Sequence, residues 1–428
     1  MKKFEEIIKN EKLEIPYSDN LKILDTPITL YKKTIPNRIA IQPMEGCDGT
    51  YEGAIDELTH RRYLRFAKSG AGVIWFEATA VANEGRANPR QLFLNEKTLD
   101  SFKKLIFEVR ETAYKETKTE PVLIMQATHS GRYSKPNGVP EPLIAYNKPI
   151  FEGDNPISSD RILSDDYLKA LEEKYAVSAK LAQEAGFDGV DIKCCHGYLM
   201  SELMGAYLRK GEYGGSYENR TRLYFNAFQN AKNAVSDDFI VTSRINVYDG
   251  FPYPYGFGVN EHDGLTPDLT EPIKVIKTLK ERFNTELIDV TIGNPYVNPH
   301  VNRPYNAGPY KSPEEPIKGV ERMMKCVGEI QCSFPDMTVI GSAFSFMKDE
   351  GANIAAGAVK SGVCKIAGFG RQAFAYPEFY RDIKEKGAMD ERKCCLACGK
   401  CTELMRAVKV AGCVIKDKDV YLPIYKEN

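Results

Sequence analysis

Residues 165–192 read DDYLKALEEKYAVSAKLAQEAGFDGVDI, and this stretch carries the fold in miniature. Leu168, Leu171, Tyr175, Ala179 and Ala182 recur at helical spacing, and Gly186 supplies the stop. The next run, 188–192 (DGVDI), is short and apolar, as a strand buried on both faces is. Working outward, seven more such runs appear: 39–43 (IAIQP), 72–76 (GVIWF), 121–126 (PVLIMQ), 239–244 (FIVTSR), 287–292 (LIDVTI), 337–341 (MTVIG) and 363–367 (VCKIA). Amphipathic stretches separate them. Eight strands alternating with helices predict an α/β fold, a closed (β/α)8 TIM barrel, with a doubly wound open sheet as the competing arrangement.

At 428 residues the chain exceeds one ordinary domain, and a large barrel with an appendage fits that length as well as two domains do. With 43% hydrophobic and 27% charged residues its composition is that of a soluble globular protein. No apolar run approaches the ~20 residues of a membrane span. The net charge of −1 lacks the basic footprint of a nucleic-acid binder, which leaves small-molecule chemistry. Residues 1–20 are polar and charged with no apolar core, so no export signal is expected and the setting is read as cytoplasmic. Oligomeric state stays open, a homo-oligomer included.

The connections 127–164 and 248–271 are long and rich in Pro, Gly and Tyr, and long loops in compact domains are usually functional. In a barrel they open on the C-terminal face, where its chemistry sits. The runs end there in polar residues: Gln42 and Glu45, Glu77, Gln126 with His129 and Arg132, Lys193 with His196, Arg244 and Asn294. A buried arginine after FIVTS needs an anion or a carboxylate, so Arg244 faces a ligand or pairs with Glu77 or Asp289. Segment 363–373 (VCKIAGFGRQA) has the outline of a dinucleotide fingerprint but lacks the second strand with its acidic end. It reads better as a phosphate cradle: Gly368 and Gly370 let backbone N–H groups approach an anion, Arg371 adds charge, and Gly341-Ser342-Ala343 forms the other wall. Tight turns would explain the same glycines. Lys193, His196 and Tyr198 converge after the fourth run, where a buried lysine could also serve as a Schiff-base nucleophile.

The last forty residues are different. Five of eleven cysteines fall within Cys394–Cys413, and Cys395, Cys398, Cys401 and Cys413 give C-x2-C-x2-C-x11-C, the outline of a four-thiolate site. Iron–sulfur suits three thiols in one run better than zinc, which more often uses two knuckles. The division expected is 1–388 for the barrel and 389–428 for a short cysteine-rich, metal-cluster extension.

These pieces together resemble the old yellow enzyme family of FMN-dependent oxidoreductases. The residues that carry the likeness are Pro36-Asn37-Arg38 leading to Pro43-Met44, Glu77-Ala78-Thr79-Ala80-Val81 with Gly85-Arg86, Gln126-x-x-His129-x-Gly131-Arg132, Gly186-Phe187-Asp188-Gly189-Val190-Asp191, His196-Gly197-Tyr198-Leu199, and Tyr213-Gly214-Gly215-Ser216-x-Glu218-Asn219-Arg220. The tail is similar to the branch holding a 4Fe–4S cluster just after the barrel, which includes 2,4-dienoyl-CoA reductase, 2-enoate reductase and trimethylamine dehydrogenase.

The resemblance implies FMN contacts from Pro43, Met44, Glu45, Ala78, Gln126 and Arg244, with Ser342, Ala343, Gly368, Gly370 and Arg371 around its phosphate. Tyr198 would protonate the substrate carbon opposite the hydride, Lys193 and His196 would polarise the activating group of an unsaturated small molecule, and the four cysteines would hold the cluster. Two departures stand out. Lys193 with His196 replaces the family's usual His/Asn or His/His pair, which favours an enoate-like, acidic substrate. Glu45 stands where relatives often carry a small polar residue or cysteine. The expected activity is reduction of an activated C=C bond. An oxidative dehydrogenation or demethylation on the same groups, or a Schiff-base lyase with structural zinc, is the alternative. Because the larger relatives continue into dinucleotide-binding domains, a separate donor protein is expected to supply electrons, with NAD(P)H as an indirect source.

Overall fold

In the computed structural model, which describes residues 3–305 and 310–427, the chain enters through an antiparallel hairpin of β1 (Ile28–Leu30) and β2 (Lys33–Ile35). Eight strands follow: β3 (Ile39–Ile41), β4 (Val73–Ala80), β5 (Val122–Thr128), β6 (Gly189–Ile192), β7 (Ile240–Asn246), β8 (Leu287–Thr291), β9 (Thr338–Gly341) and β10 (Ile366–Phe369). They lie in chain order around a closed, wholly parallel barrel that β10 completes by pairing with β3, Ala367 opposite Ile39. The closed barrel is therefore the arrangement adopted, and the open sheet is not. Every expected run supplies one strand. β10 begins three residues later than its apolar run, because Val363 still donates its N–H to Ala358 O in the cap of the preceding helix.

Helix Asp165–Ala185 shows why the opening stretch folds as it does. Ser164 caps it by accepting from Tyr167 N, and Gly186 ends it at φ 93°, a left-handed turn that glycine adopts without cost. Leu168, Leu171, Tyr175, Ala179 and Ala182 are all buried on its inner face.

The hairpin closes the bottom of the barrel. Leu30 and Ile35 join Ala40, Val73, Trp75, Ile124, Ile240, Leu287, Ile340 and Ile366 in one apolar cluster inside the strands. Nothing in the strand–helix alternation announced this plug. Its two-residue turn is Tyr31-Lys32 at φ 47° and 62°, conformations usually signalled by Asn or Gly.

After helix Phe379–Lys386, residues 394–427 pack against loops that follow β3, β8 and β10. Ala411 N donates to Gly46 O at 2.6 Å, Cys395 N to Gln372 Oε1 at 3.0 Å, and Arg406 to Pro295 O at 2.8 Å. Leu404, Ala411, Val414 and Tyr421 give the segment a small core of its own. No described helix is long and apolar enough to cross a membrane.

Candidate active site

Two adjoining cavities open at the end of the barrel where the post-strand loops gather. The larger encloses about 1040 Å3 and the smaller about 380 Å3, and Arg371, Phe374 and Cys401 belong to both.

The floor of the larger cavity is a buried polar layer built by strand ends. Gln42, after β3, donates to Asp289 Oδ1 at 2.8 Å and to Ser342 Oγ at 2.6 Å. Gln126 and Trp75 both donate to Asp191 Oδ2, at 2.6 and 2.8 Å, and Arg244 N donates to Asp191 Oδ1 at 2.7 Å. Burial raises both aspartates to about 6. Arg244 Nε lies 3.0 Å from Asp289 Oδ2 as an ion pair that is not aligned as a hydrogen bond. Of the two carboxylates offered as its partner, Asp289 is the one used. Glu77 instead meets Arg62 Nη2 at 2.6 Å and accepts from Gly46 N at 2.8 Å, turned away by the register shift between Trp75 and Ala78. Arg244 still lines the cavity, so pairing and ligand access coexist there.

One end of this cavity is shaped for an anion. Ser342 and Ala343 follow β9, Gly368 lies in β10, and Gly370 and Arg371 follow it. A Cβ on Gly368 would stand 2.5 Å from the Gln42 carboxamide carbon, so only glycine fits. Arg371 Nη1 is buried with no hydrogen-bond partner among the described residues, as is Nε of neighbouring Arg303. Burial, and then the adjacent Arg371, hold Arg303 below the ordinary arginine range. Two such guanidiniums side by side invite an anion.

The opposite wall carries the expected catalytic groups. Lys193, His196 and Tyr198 follow β6 within six residues. His196 takes φ 63°, and the next residue, Gly197 at φ 71°, lies so close to Asn294 that a Cβ would meet its Nδ2 at 2.2 Å. Asn302 donates to His196 Nε2 at 3.2 Å, and burial, then Arg244 and Lys193, push this imidazole well below its usual pKa. It is a neutral ring. Tyr198 is buried. Its hydroxyl donates to Glu45 Oε1 at 2.9 Å and lies 2.9 Å from Tyr296 Oη. Burial, then Glu45, raise the phenol well above 10. Lys193 Nζ stands 3.5 Å from Glu45 Oε1 and 3.6 Å from the centre of the Tyr198 ring.

Of the expected cofactor contacts, Pro43, Met44, Glu45, Gln126, Arg244, Ser342, Ala343, Gly368, Gly370 and Arg371 all line this cavity. Ala78 does not. It is buried in β4, and its carbonyl is taken by Gln91 Nε2 at 2.9 Å. His129 and Arg132 also lie outside the lining. Tyr296 and Arg303 were not foreseen as site residues. The Tyr- and Asn-rich loop 293–312 supplies both, but no spacing rule shows which of its residues turn inward. Residues 306–309 of that loop lie outside the described residues.

Cys395, Cys398, Cys401 and Cys413 together line the smaller cavity, while the adjacent Cys394 is buried in the main core. Ala397 N and Lys416 N already donate to Cys395 Sγ and Cys413 Sγ, at 3.4 and 3.3 Å. Among the described residues no three His, Cys, Asp or Glu side chains are placed to hold a single ion.

A family model described as the NADH:flavin oxidoreductase / NADH oxidase family matches residues 24–390. The NADH:flavin oxidoreductase FG08077 of Gibberella zeae is 27% identical over 304 residues, covering 66% of this chain and 70% of its own length. Among solved structures, a 2-naphthoyl-CoA reductase in complex with 2-naphthoyl-CoA superposes with a TM-score of 0.74 at 18% identity, over 92% of this chain and 57% of that one. The present chain thus spans little more than half of that enzyme. An old yellow enzyme homologue from Zymomonas mobilis gives 0.63 at 21% identity, over 86% and 94%. The structural likenesses establish the fold, and the family match establishes more: this chain belongs to the NADH:flavin oxidoreductase / NADH oxidase family of FMN-dependent oxidoreductases.

Proposed function

We propose that the protein reduces an activated C=C bond of an enoate-type substrate. The carrying observation is that Tyr198, a buried phenol held protonated, shares one cavity wall with the Lys193 ammonium, opposite residues suited to FMN. The family binds FMN, and the residues present fit it. The unpaired Arg371 Nη1 and the glycine-lined cradle suit its phosphate, and Gln126 and Arg244 suit the polar edge of its ring. FMN, when bound, supplies hydride to the substrate β-carbon. Around it, Lys193 and the neutral His196 hold the activating group, and an ammonium there stabilises a carboxylate or a developing enolate. Tyr198 gives its hydroxyl proton to the α-carbon. Engaged with Glu45 and the Tyr198 ring, Lys193 is poorly placed as a free-amine nucleophile, which weighs against a Schiff-base lyase.

The four thiols would hold a 4Fe–4S cluster. A single zinc needs its sulfurs about 2.3 Å from one point, whereas these four ring a cavity, and two of them, Cys395 and Cys413, already receive amide N–H groups, as cluster sulfurs do. The two cavities share Arg371, Phe374 and Cys401, which supports a cluster site next to the flavin site, and exposed Cys398 offers an edge to which a separate donor protein would deliver electrons.

Dithionite-reduced protein mixed with a panel of enones and 2-enoates tests the reading. Flavin reoxidation is expected with carboxylate-bearing acceptors, and Lys193→Met should slow those at least tenfold more than neutral enones. Colourless protein that retains activity would remove the redox assignment. Rapid flavin reduction by NADH alone would remove the separate donor.

A further inference from the structure

Glu45 is the residue the family pattern leaves unexplained, and three groups meet on one of its oxygens. Oε1 accepts from Tyr198 Oη at 2.9 Å and lies 3.5 Å from Lys193 Nζ, and its carboxyl is only 10% exposed. Tyr296 Oη, 2.9 Å from the Tyr198 oxygen, completes the contacts around that phenol. Each donation to carbon would leave a buried phenolate next to a carboxylate, an arrangement that both burial and like charge disfavour. The proton must be replaced before another turnover. The nearest cationic donor is Lys193, which reaches the phenol through Glu45.

On the reductase reading above, we propose that Glu45 is a relay residue that returns the proton to Tyr198. As the Tyr198 O–H bond breaks and the substrate Cα–H bond forms, the phenolate is left one proton short. A Lys193 Nζ–H proton passes to Glu45 Oε1, and the Glu45 proton passes to the Tyr198 oxygen. Lys193 is left as a neutral amine, Glu45 as a carboxylate and Tyr198 as a phenol. A proton taken from bulk solvent, carried by water entering the emptied cavity, then recharges the amine. The deficit thus moves from a buried phenolate to a group that solvent can reach. Glu45 touches neither the reacting carbon nor the hydride in this scheme.

Glu45→Gln separates relay from scaffolding, because its amide oxygen can still accept from Tyr198 but the amide cannot take up and pass on a proton. With dithionite-reduced, FMN-loaded protein and cinnamate or 2-cyclohexen-1-one, steady-state turnover should fall at least tenfold more than the first flavin reoxidation. The excess loss should carry a solvent deuterium isotope effect, and Glu45→Asp should recover part of it. An independent readout needs no turnover: in protein labelled with 13Cζ-tyrosine, with Tyr198→Phe assigning the signal, Glu45→Gln should let Tyr198 ionise at lower pH than wild type. Equal loss in the first and later turnovers, no loss in either, or an unmoved Tyr198 titration would overturn the relay. Wild-type reduced flavin that none of the acceptors reoxidises would instead overturn the reductase reading itself.

Discussion

His129 shows how a buried residue near a site can be spoken for elsewhere. Its Nδ1 accepts from Gly131 N at 3.1 Å, so Nε2 carries the ring proton and meets Tyr167 Oη at 2.9 Å, and that hydroxyl donates to Glu84 at 2.8 Å. A second ring proton would point at the Gly131 N–H. Burial above all lowers this histidine from 6.5 to about 4. Below pH 6.5 the unfolded chain binds a proton that the folded chain refuses, so stability falls as pH drops from 6.5 toward 4. The full window is worth about 3 kcal/mol. Asp191 and Asp289, raised to about 6, act in the opposite sense between 3.8 and 6. His129→Gln should therefore flatten the acid limb of urea-derived stability against pH, and an unchanged slope would contradict the assignment. The sequence placed His129 on the catalytic face by its position after β5, but position along a strand does not show what a neighbouring helix will offer the ring.

Among elements, the end of β10 is tightly constrained. Gly368 lies against Gln42, whose carboxamide holds both Asp289 and Ser342, and a methyl group there would push that side chain off its partners. Gly368→Ala should lose FMN and cost about 1–3 kcal/mol of stability, read as flavin absorbance after desalting and as a shifted denaturant midpoint. Full flavin retention would mean that Gln42 can move freely. Here the glycine pattern in the sequence was informative, since GFGR after an apolar run predicts the turn that follows. β4 is less transparent. Its register shift after Trp75 sends Glu77 to Arg62, and a bulge leaves no mark in the alternation of a strand that is buried throughout.

For the whole molecule, the cysteine-rich segment is a wall of the larger cavity as well as the lining of the smaller one. Cys401, Thr402, Met405 and Ala411 all line the larger cavity, and Arg303 Nη2 donates to Thr402 Oγ1 at 2.8 Å. Arg61 and Arg65 both bind Asp417, clamping the segment to helix Glu57–Ala67. A chain ending at residue 388 should bind FMN at least tenfold more weakly than residues 1–428, measured by flavin fluorescence titration. Cys398→Ser, by contrast, should remove iron while leaving most of the flavin, measured by metal analysis and absorbance. Equal flavin affinity in the truncated chain would show that the barrel alone makes the pocket.

Local chemistry was enough for much of this. The strand–helix alternation specified the barrel, because apolar runs and helical faces are written residue by residue. The thiol spacing specified which cysteines line one cavity, because four side chains within nineteen residues need only short turns to meet. The glycines marked a close approach of backbone to its neighbours, because a missing Cβ is visible in one letter. What tertiary structure alone decided were contacts between groups far apart in the chain. Arg244 pairs with Asp289 and not with Glu77, Arg303 folds back against Thr402, and Glu45 meets Lys193 and Tyr198 across about 150 positions. Those pairings depend on how strand ends converge once the barrel closes, and no spacing along the sequence encodes that distance.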